Sequence, residues 1–215
     1  MIVRTLLAAL SVVTLAGCTV KRIDYASQLE SAAPCCTTYE KMPGEKIEFN
    51  GEGIRFHLGD EHGVVVEEEK EKIYALKLIL PNFVSPYSIR VQSPVHLKSA
   101  FVPKLVLLDK DHRVSRTFDH KDFIFNHSKY EATLFVNDTN NNEHYLVISE
   151  DLNARSIAQK TTSVEVNTVY TSGVSLSYGS GDITSTITSS KGGIVLIGLN
   201  EYKLRTLSDI REDEK

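Results

Sequence analysis

Ile47-Glu48-Phe49-Asn50-Gly51-Glu52-Gly53-Ile54-Arg55-Phe56-His57-Leu58 sets the reading of the fold. Apolar Ile47 and Phe49, then Ile54, Phe56 and Leu58, alternate with Glu48, Arg55 and His57, the period of two that half-buried strands show. Gly51 and Gly53 supply the turn between the two runs. The same period recurs down the chain. Val64 to Val66, Tyr74 to Leu80, Tyr87 to Val91 and Val102 to Leu108 follow, separated by Gly, Pro, Asn or Ser. In the second of these, Ala75, Lys77 and Ile79 oppose Tyr74, Leu76, Leu78 and Leu80, which predicts one partly solvated face.

Further strands are predicted over Arg113 to Phe118, Tyr130 to Val136 and His144 to Ser149. Asp109-Lys110-Asp111-His112 and Asn137 to Asn142 have turn composition. Half of Thr161 to Ser190, 15 of 30 residues, is Ser or Thr, yet Val164/Val166, Val174/Leu176/Tyr178 and Ile183/Ile187 keep the alternation of strands. The continuous apolar run Ile194 to Leu199 reads as a strand buried on both faces. Helix is expected only over Glu150 to Lys160 and in a short C-terminal piece carrying Leu204, Leu207 and Ile210. The fold class is therefore all-β, an antiparallel β-sandwich with minor helix.

The chain has 215 residues, 24 Lys+Arg against 28 Asp+Glu, and no Trp. This mildly acidic balance, with basic residues spread out, excludes a large cationic nucleic-acid face. Residues 1–17 carry Arg4, an apolar run from Leu6 to Ala16, and Gly17. The run is shorter than the roughly 20 residues a spanning helix needs, so it reads as a secretory signal. Leu15-Ala16-Gly17-Cys18 resembles the lipobox of bacterial lipoproteins, in which the cysteine thiol receives a diacylglycerol and becomes the N-terminus. An ordinary signal cleaved near Ala16, with Cys18 free, is the alternative. Thr19 and Val20 place no Asp after the cysteine, and by the lipoprotein rule the destination is then the outer membrane. Residues 18–43 are expected to be a lipid-anchored tether, with a helical turn near Ile23, Tyr25 and Leu29. Residues 44–200 form the sandwich and 201–215 a polar tail.

Cys35 and Cys36 are adjacent. In an oxidising compartment three outcomes are open: a vicinal disulfide, buried unpaired thiols, or intermolecular pairing. The pair lacks the two-residue spacer of a redox Cys-x-x-Cys site.

The seven histidines, at 57, 62, 96, 112, 120, 127 and 144, form no metal-binding pair at helical spacing and read as surface residues. Asp109-x-Asp111 opens like a calcium loop, but Val114 and His120 stand where Gly and Glu are required. Gly173-Val174-Ser175-Leu176-Ser177 lacks the closing Gly of a nucleophile elbow. Asp119-His120-Lys121-Asp122 groups two carboxylates with a base, a cluster that reads as a solvated bend; a hydrolase would draw on it. Glu67 to Lys72 reads as a charged loop or strand edge. No catalytic residue, metal ligand or cofactor is expected. Tyr87, Tyr130 and Tyr145 are the candidate ligand-contact residues, on strands where a ring can be exposed.

Three stretches carry a family resemblance: Phe101-Val102-Pro103-Lys104-Leu105-Val106-Leu107-Leu108-Asp109-Lys110-Asp111 followed by Val114, then Tyr145-Leu146-Val147-Ile148-Ser149-Glu150-Asp151-Leu152, then Gly193-Ile194-Val195-Leu196-Ile197-Gly198-Leu199. Together with Cys35-Cys36 they resemble the MalM family of maltose-operon periplasmic proteins, over roughly residues 35–200. The resemblance implies a cell-envelope protein linked to carbohydrate transport and carries no catalytic residue. The resulting expectation is a non-enzymatic lipoprotein, anchored to the outer membrane on its periplasmic side, that assists a porin or carbohydrate-uptake protein. The alternative is a glycan-binding module for maltodextrin or envelope polysaccharide. Cys18→Ala is expected to abolish the acyl mass on the N-terminal peptide and move the protein from the membrane to the soluble fraction; mass spectrometry of the fractionated variant checks both.

Overall fold

The computed structural model describes residues 23–202 apart from 52, 97, 127, 156–158 and 172–173, and for 159–171 and 174–185 it describes the backbone. The leader, Cys18 and the C-terminal helix expected around Leu204 to Ile210 lie outside the described residues. One helix, α1 (Tyr25–Ser31), precedes the strands. The first strands are β1 (Gly44–Lys46), β2 (Ile54–Leu58), β3 (Val64–Glu68), β4 (Glu71–Ile79) and β5 (Tyr87–Pro94). They continue as β6 (Ser99–Phe101), β7 (Pro103–Asp109), β8 (Val114–Phe118), β9 (Ile124–Phe125) and β10 (Lys129–Val136). The last are β11 (Glu143–Glu150), β12 (Gln159–Thr171), β13 (Val174–Ser190) and β14 (Gly193–Glu201).

The fold is a β-sandwich. One sheet runs β1-β4-β11-β7-β8 with β3 also on β4; the second runs β2-β14-β5-β10-β9. A third sheet, β12-β13-β6, adjoins them. Pairing is antiparallel except at β1 with β4 and β13 with β6. The inner faces meet in one core: Tyr74, Leu76, Leu78, Leu105, Leu107, Leu146 and Ile148 from the first sheet against Phe56, Ile89, Val91, Leu134, Val195 and Ile197 from the second. Alternation makes this possible, because a strand presents every second side chain to the same side.

The outer face of the first sheet departs from the expected solvation. Ala75 is 0% and Lys77 4% exposed. Ile73, Ala75, Val106, Leu108 and Val147 form a second apolar cluster, covered by Cys36 and Met42 with Tyr39 packed beside them. Strands β4, β7 and β11 are apolar on both faces, so a second cover is required, and the segment before β1 provides it. Lys77 is tolerated there because its ammonium donates to the Tyr39 and Glu40 carbonyls at 2.9 and 3.2 Å. Burial nevertheless pushes this ammonium below its ordinary pKa, with Glu40 opposing.

The segment read as a tether is thus packed from Tyr25 onward. The Asp24 carboxylate caps α1 by accepting from Ser27 N. Leu29 is 2% exposed in the main core. Lys72 donates to the Glu30 and Ala32 carbonyls at the helix end, at 2.8 and 2.7 Å. Tyr25 lies in a notch that two glycines leave open: a Cβ at Gly192 would come within 2.5 Å of its ring, and one at Gly59 within 2.9 Å. Gly59 also has φ +86°, a conformation that disfavours other residues.

Three other expectations change. Among the described residues of the span Glu150 to Lys160 there is no α-helix: Glu150 ends β11, a 3₁₀ turn covers Leu152–Ala154, and β12 begins at Gln159. The Asp151 carboxylate caps that turn by accepting from Asn153 N, and Asp151 N donates to Val102 O, which holds the chain against the sheet. Strand β14 is not buried on both faces: Val195, Ile197 and Leu199 are buried while Ile194 and Leu196 are half-buried, and among the described residues the second apolar cluster, with its cover of Cys36 and Met42, lies on the first sheet. The charged run at Glu67 to Lys72 is a hairpin turn with Glu69 and Lys70 both at positive φ. Its flanking charges are engaged: Glu68 pairs with Lys104, Glu71 with Arg155, and Lys72 with α1.

Leu29→Ala should cost about 3 kcal/mol, as other buried Leu truncations do, and lower the melting temperature by roughly 6–12 °C for a domain of this size. Thermal unfolding followed by circular dichroism checks it; a surface tether would give no change.

Candidate functional site

The cover over the first sheet creates a groove along its own margin. Thr37, Thr38, Tyr39 and Glu40 form one wall, Val66, Glu67 and Glu68 the other, and Asp111 and His112 close one end, around a cavity of about 370 Å³. Cys35 and Cys36 form a vicinal disulfide, with Cα atoms 3.8 Å apart, at the start of this cover. It is tied to β3 through Cys35 N donating to Val65 O at 2.8 Å and a bridge between Cys36 and Val66.

At the closed end His112, held at φ +60° in the turn after β7, stacks on Tyr145 with ring centroids 4.4 Å apart and planes 16° from parallel. Lys77 Nζ stands 5.5 Å from the Tyr145 ring centroid on the sheet side. On the β3 wall Lys104 donates to Glu68 Oε1 at 2.5 Å, while Glu68 Oε2 is buried without a partner. Burial lowers the Lys104 ammonium, but the bond to Glu68 outweighs it and the pKa is raised. Burial, then the nearby Glu68 charge, raises the Tyr39 phenol. The groove thus combines carboxylate acceptors with flat rings, which suits a ligand rich in hydroxyl or cationic donors.

Of the three candidate tyrosines, Tyr145 alone is half-buried beside this groove. Tyr87 and Tyr130 are 1% and 4% exposed in the main core, so neither presents a ring to a ligand. Both occupy inward positions, opposite Val136 and Ser93 in the β5–β10 register. Burial, aided by the Glu143 charge, pushes the Tyr87 phenol up to about 12. Cys18 lies outside the described residues. The residue that sequence reading missed is His112, whose stacking partner sits 33 positions away across the sheet.

The Asp119-His120-Lys121-Asp122 cluster is a built turn and not a loose bend. Asp119 and Asp122 cap each other's backbone around a 3₁₀ turn. His120 donates its backbone N–H to Asp151 Oδ2 at 2.9 Å, and its Nδ1 lies 2.7 Å from the same oxygen. Asp119, His120 and Asp151 bring potential ligand atoms within 4.8 Å of one another. Three of their carboxylate oxygens accept hydrogen bonds within the turns: Asp151 from His120 and Asn153 N, and Asp119 Oδ1 from Lys121 N. The trio locks the turn after β8 onto the turn after β11. Asp109-x-Asp111 is likewise a turn, its Asp109 Oδ1 accepting from Asp111 N and Arg113 N.

A wider cleft of about 730 Å³ lies at the end of the sandwich where α1 docks, lined by Tyr25, His57, His96, Phe101, Ser189 and Lys191 among others. There Tyr25 Oη is 2.6 Å from His57 Nε2, and His57 Nδ1 is 3.5 Å from Asp60. Burial raises the Tyr25 phenol, as does the Asp60 charge, so this chain of contacts fixes the helix and does not activate the phenol.

No protein-family model matches the chain, and no curated protein matches it. Among solved structures, the pre-peptidase C-terminal domain of a collagenase from Bacillus anthracis is similar at 11% identity and a TM-score of 0.33, over 74% of this chain and 95% of that one.

Asp151 gives a pH test. Burial opposes its ionisation, but the His120 backbone and ring and Asn153 N outweigh that and hold its pKa below the ordinary value. A depressed carboxylate contributes stability above its unfolded pKa of about 3.9, lost as pH falls through that value and below. Asp151→Asn should therefore be less stable at pH 7 by about 1–3 kcal/mol and lose less stability than the parent between pH 5 and 2; urea titrations across that range read both slopes.

Proposed function

We propose that the chain is a non-enzymatic lipoprotein of the outer membrane, facing the periplasm, that holds a β-sandwich close to the bilayer to bind a porin or carbohydrate-uptake protein. The observation that carries this reading is the fixing of the N-terminal segment. Asp24 caps α1, Leu29 enters the core, and residues 36–42 cover a sheet. With the rigid body beginning by Asp24, a lipid on Cys18 leaves five residue steps to Ile23, at most about 18 Å of chain. Such a short leash suits a module that works on a membrane-embedded neighbour. The lipobox and the resemblance to the MalM family point the same way.

A second reading, a glycan-binding module for maltodextrin or envelope polysaccharide, is favoured by one observation: the His112–Tyr145 stack stands beside carboxylates at the end of a groove. Rings next to hydrogen-bonding groups match the alternating apolar and hydroxyl faces of a sugar.

Mild crosslinking in intact cells followed by purification should recover one abundant envelope protein with this chain, and recovery of none counts against the leading reading. Calorimetry of the chain carrying Cys18→Ala against a panel of oligosaccharides separates the second: no heat removes it, whereas heat lost in Tyr145→Ala supports it.

A further inference from the structure

The outer face of the second sheet has a composition of its own. Strands turn alternate side chains away from the core, and the registers set Ile124, Glu131, Gln92, Leu196 and Arg55 in one row across β9, β10, β5, β14 and β2. Arg90, two residues from Gln92, and Lys129, two from Glu131, point the same way. Three cations therefore share this face with one carboxylate, in a chain whose net charge is −4. Glu131 is engaged by Arg90 Nε at 2.8 Å, Gln92 Nε2 at 3.0 Å and Lys129 Nζ at 2.7 Å. Arg55 is exposed and joins no ion pair among the described residues.

Apolar side chains stand among these charges. Ile124 is 74% and Phe135 52% exposed, and Ile194 and Leu196 are half-buried. The outer side of the first sheet has the reverse character: its groove is lined by Glu40, Glu67, Glu68 and Asp111, with no lysine or arginine among the described residues there. The described chain enters at the margin of the basic face, where Tyr25 meets His57 on the outer side of β2. Asp24 and Asp60 lie at that margin with Lys191, and Lys21 and Arg22 directly precede it in the sequence.

We infer that the outer face of the second sheet docks on an anionic bilayer surface. This rests on the lipid at Cys18 proposed above, and charge and reach together name the occupant. A face that is basic on an acidic chain is drawn to anionic head groups, each Lys or Arg near such a surface strengthening the contact roughly fivefold. The exposed isoleucine and phenylalanine enter the headgroup layer while the long cationic side chains reach the phosphates. The leash from Cys18 to Ile23, at most about 18 Å, is no longer than the roughly 19 Å that five strands span. A lipid on Cys18 thus holds the α1 margin of this face beside the interface. The acidic groove, on the opposite side of the sandwich, is repelled by the same surface and is presented to solvent.

The sequence holds no Trp, so a single introduced Trp is the sole indole reporter. With the lipidated full chain reconstituted on phosphatidylethanolamine–phosphatidylglycerol vesicles, Ile124→Trp should lose most of its emission to a phospholipid spin-labelled at the head group. Val114→Trp, on β8 of the first sheet, should keep its emission. Adding Arg55→Glu to Ile124→Trp should shift the docked population toward solution at least about tenfold, whereas Arg55→Lys should leave it unchanged. Far-UV spectra accompany each variant, and Phe135→Trp substitutes if Ile124→Trp does not fold. Equal quenching of the two reporters, or quenching indifferent to Arg55→Glu, overturns the inference and leaves the anchor standing. A chain that washes off the vesicles overturns both. A concentration-dependent blue shift of Ile124→Trp without vesicles overturns it in favour of a second copy on this face.

Discussion

Strands β4, β7 and β11 carry apolar side chains on both faces, and a sheet of that kind must be covered twice. The second sheet covers one face, with Leu76, Leu105 and Ile148 in the shared core. The other face draws in the chain before β1, where Cys36 and Met42 lie on Ala75, Val106 and Val147. Much else follows from that second cover. It buries Lys77, whose ammonium then fastens the covering backbone through the Tyr39 and Glu40 carbonyls. It also leaves the groove that runs between residues 37–40 and β3.

The ends of β11 show how the central sheet tolerates charge. Glu143 and Glu150, 2% and 1% exposed, each meet an arginine fork: Arg116 at 2.7 Å to both Glu143 oxygens, Arg155 at 2.6 and 2.8 Å to those of Glu150. Two-point contacts of this sort satisfy the carboxylate lone pairs that burial strips of water. Losing one guanidinium would strand a charge in the interior, so these pairs fix where the strand begins and ends.

Strand positions were legible because burial on one side imposes a period of two: the run at 54–58 coincides with β2, those at 102–108 and 144–149 fall within one residue of β7 and β11 at each end, and β4 begins three residues before the run at 74–80. Ala75, Lys77 and Ile79 misled because a lysine in an alternating strand implies water, and nothing local reveals that carbonyls 37 and 38 residues earlier will satisfy its ammonium. Tyr87 and Tyr130 failed for the converse reason: a tyrosine suits a core or a rim equally, and register decides. Cys35 and Cys36 drew notice as a pair, but the groove beside them was invisible, since His112 and Tyr145 meet only through the pairing of β7 with β11. Asp151 was missed as the partner of His120 because the two lie on turns 31 positions apart.

The order of strands in the second sheet also bears on how the molecule is made. β14, the last described strand, lies between β2 and β5, and its partners were synthesised some 100 to 140 residues earlier. Until it arrives, those two strands present interior edges with nothing to zip against. Assembly is therefore a late, non-local event of the kind that proceeds slowly. A nascent or truncated chain lacking this strand would be open to capture by chaperones or to self-association, which gives the cell a reason to complete the polypeptide before it is allowed to close.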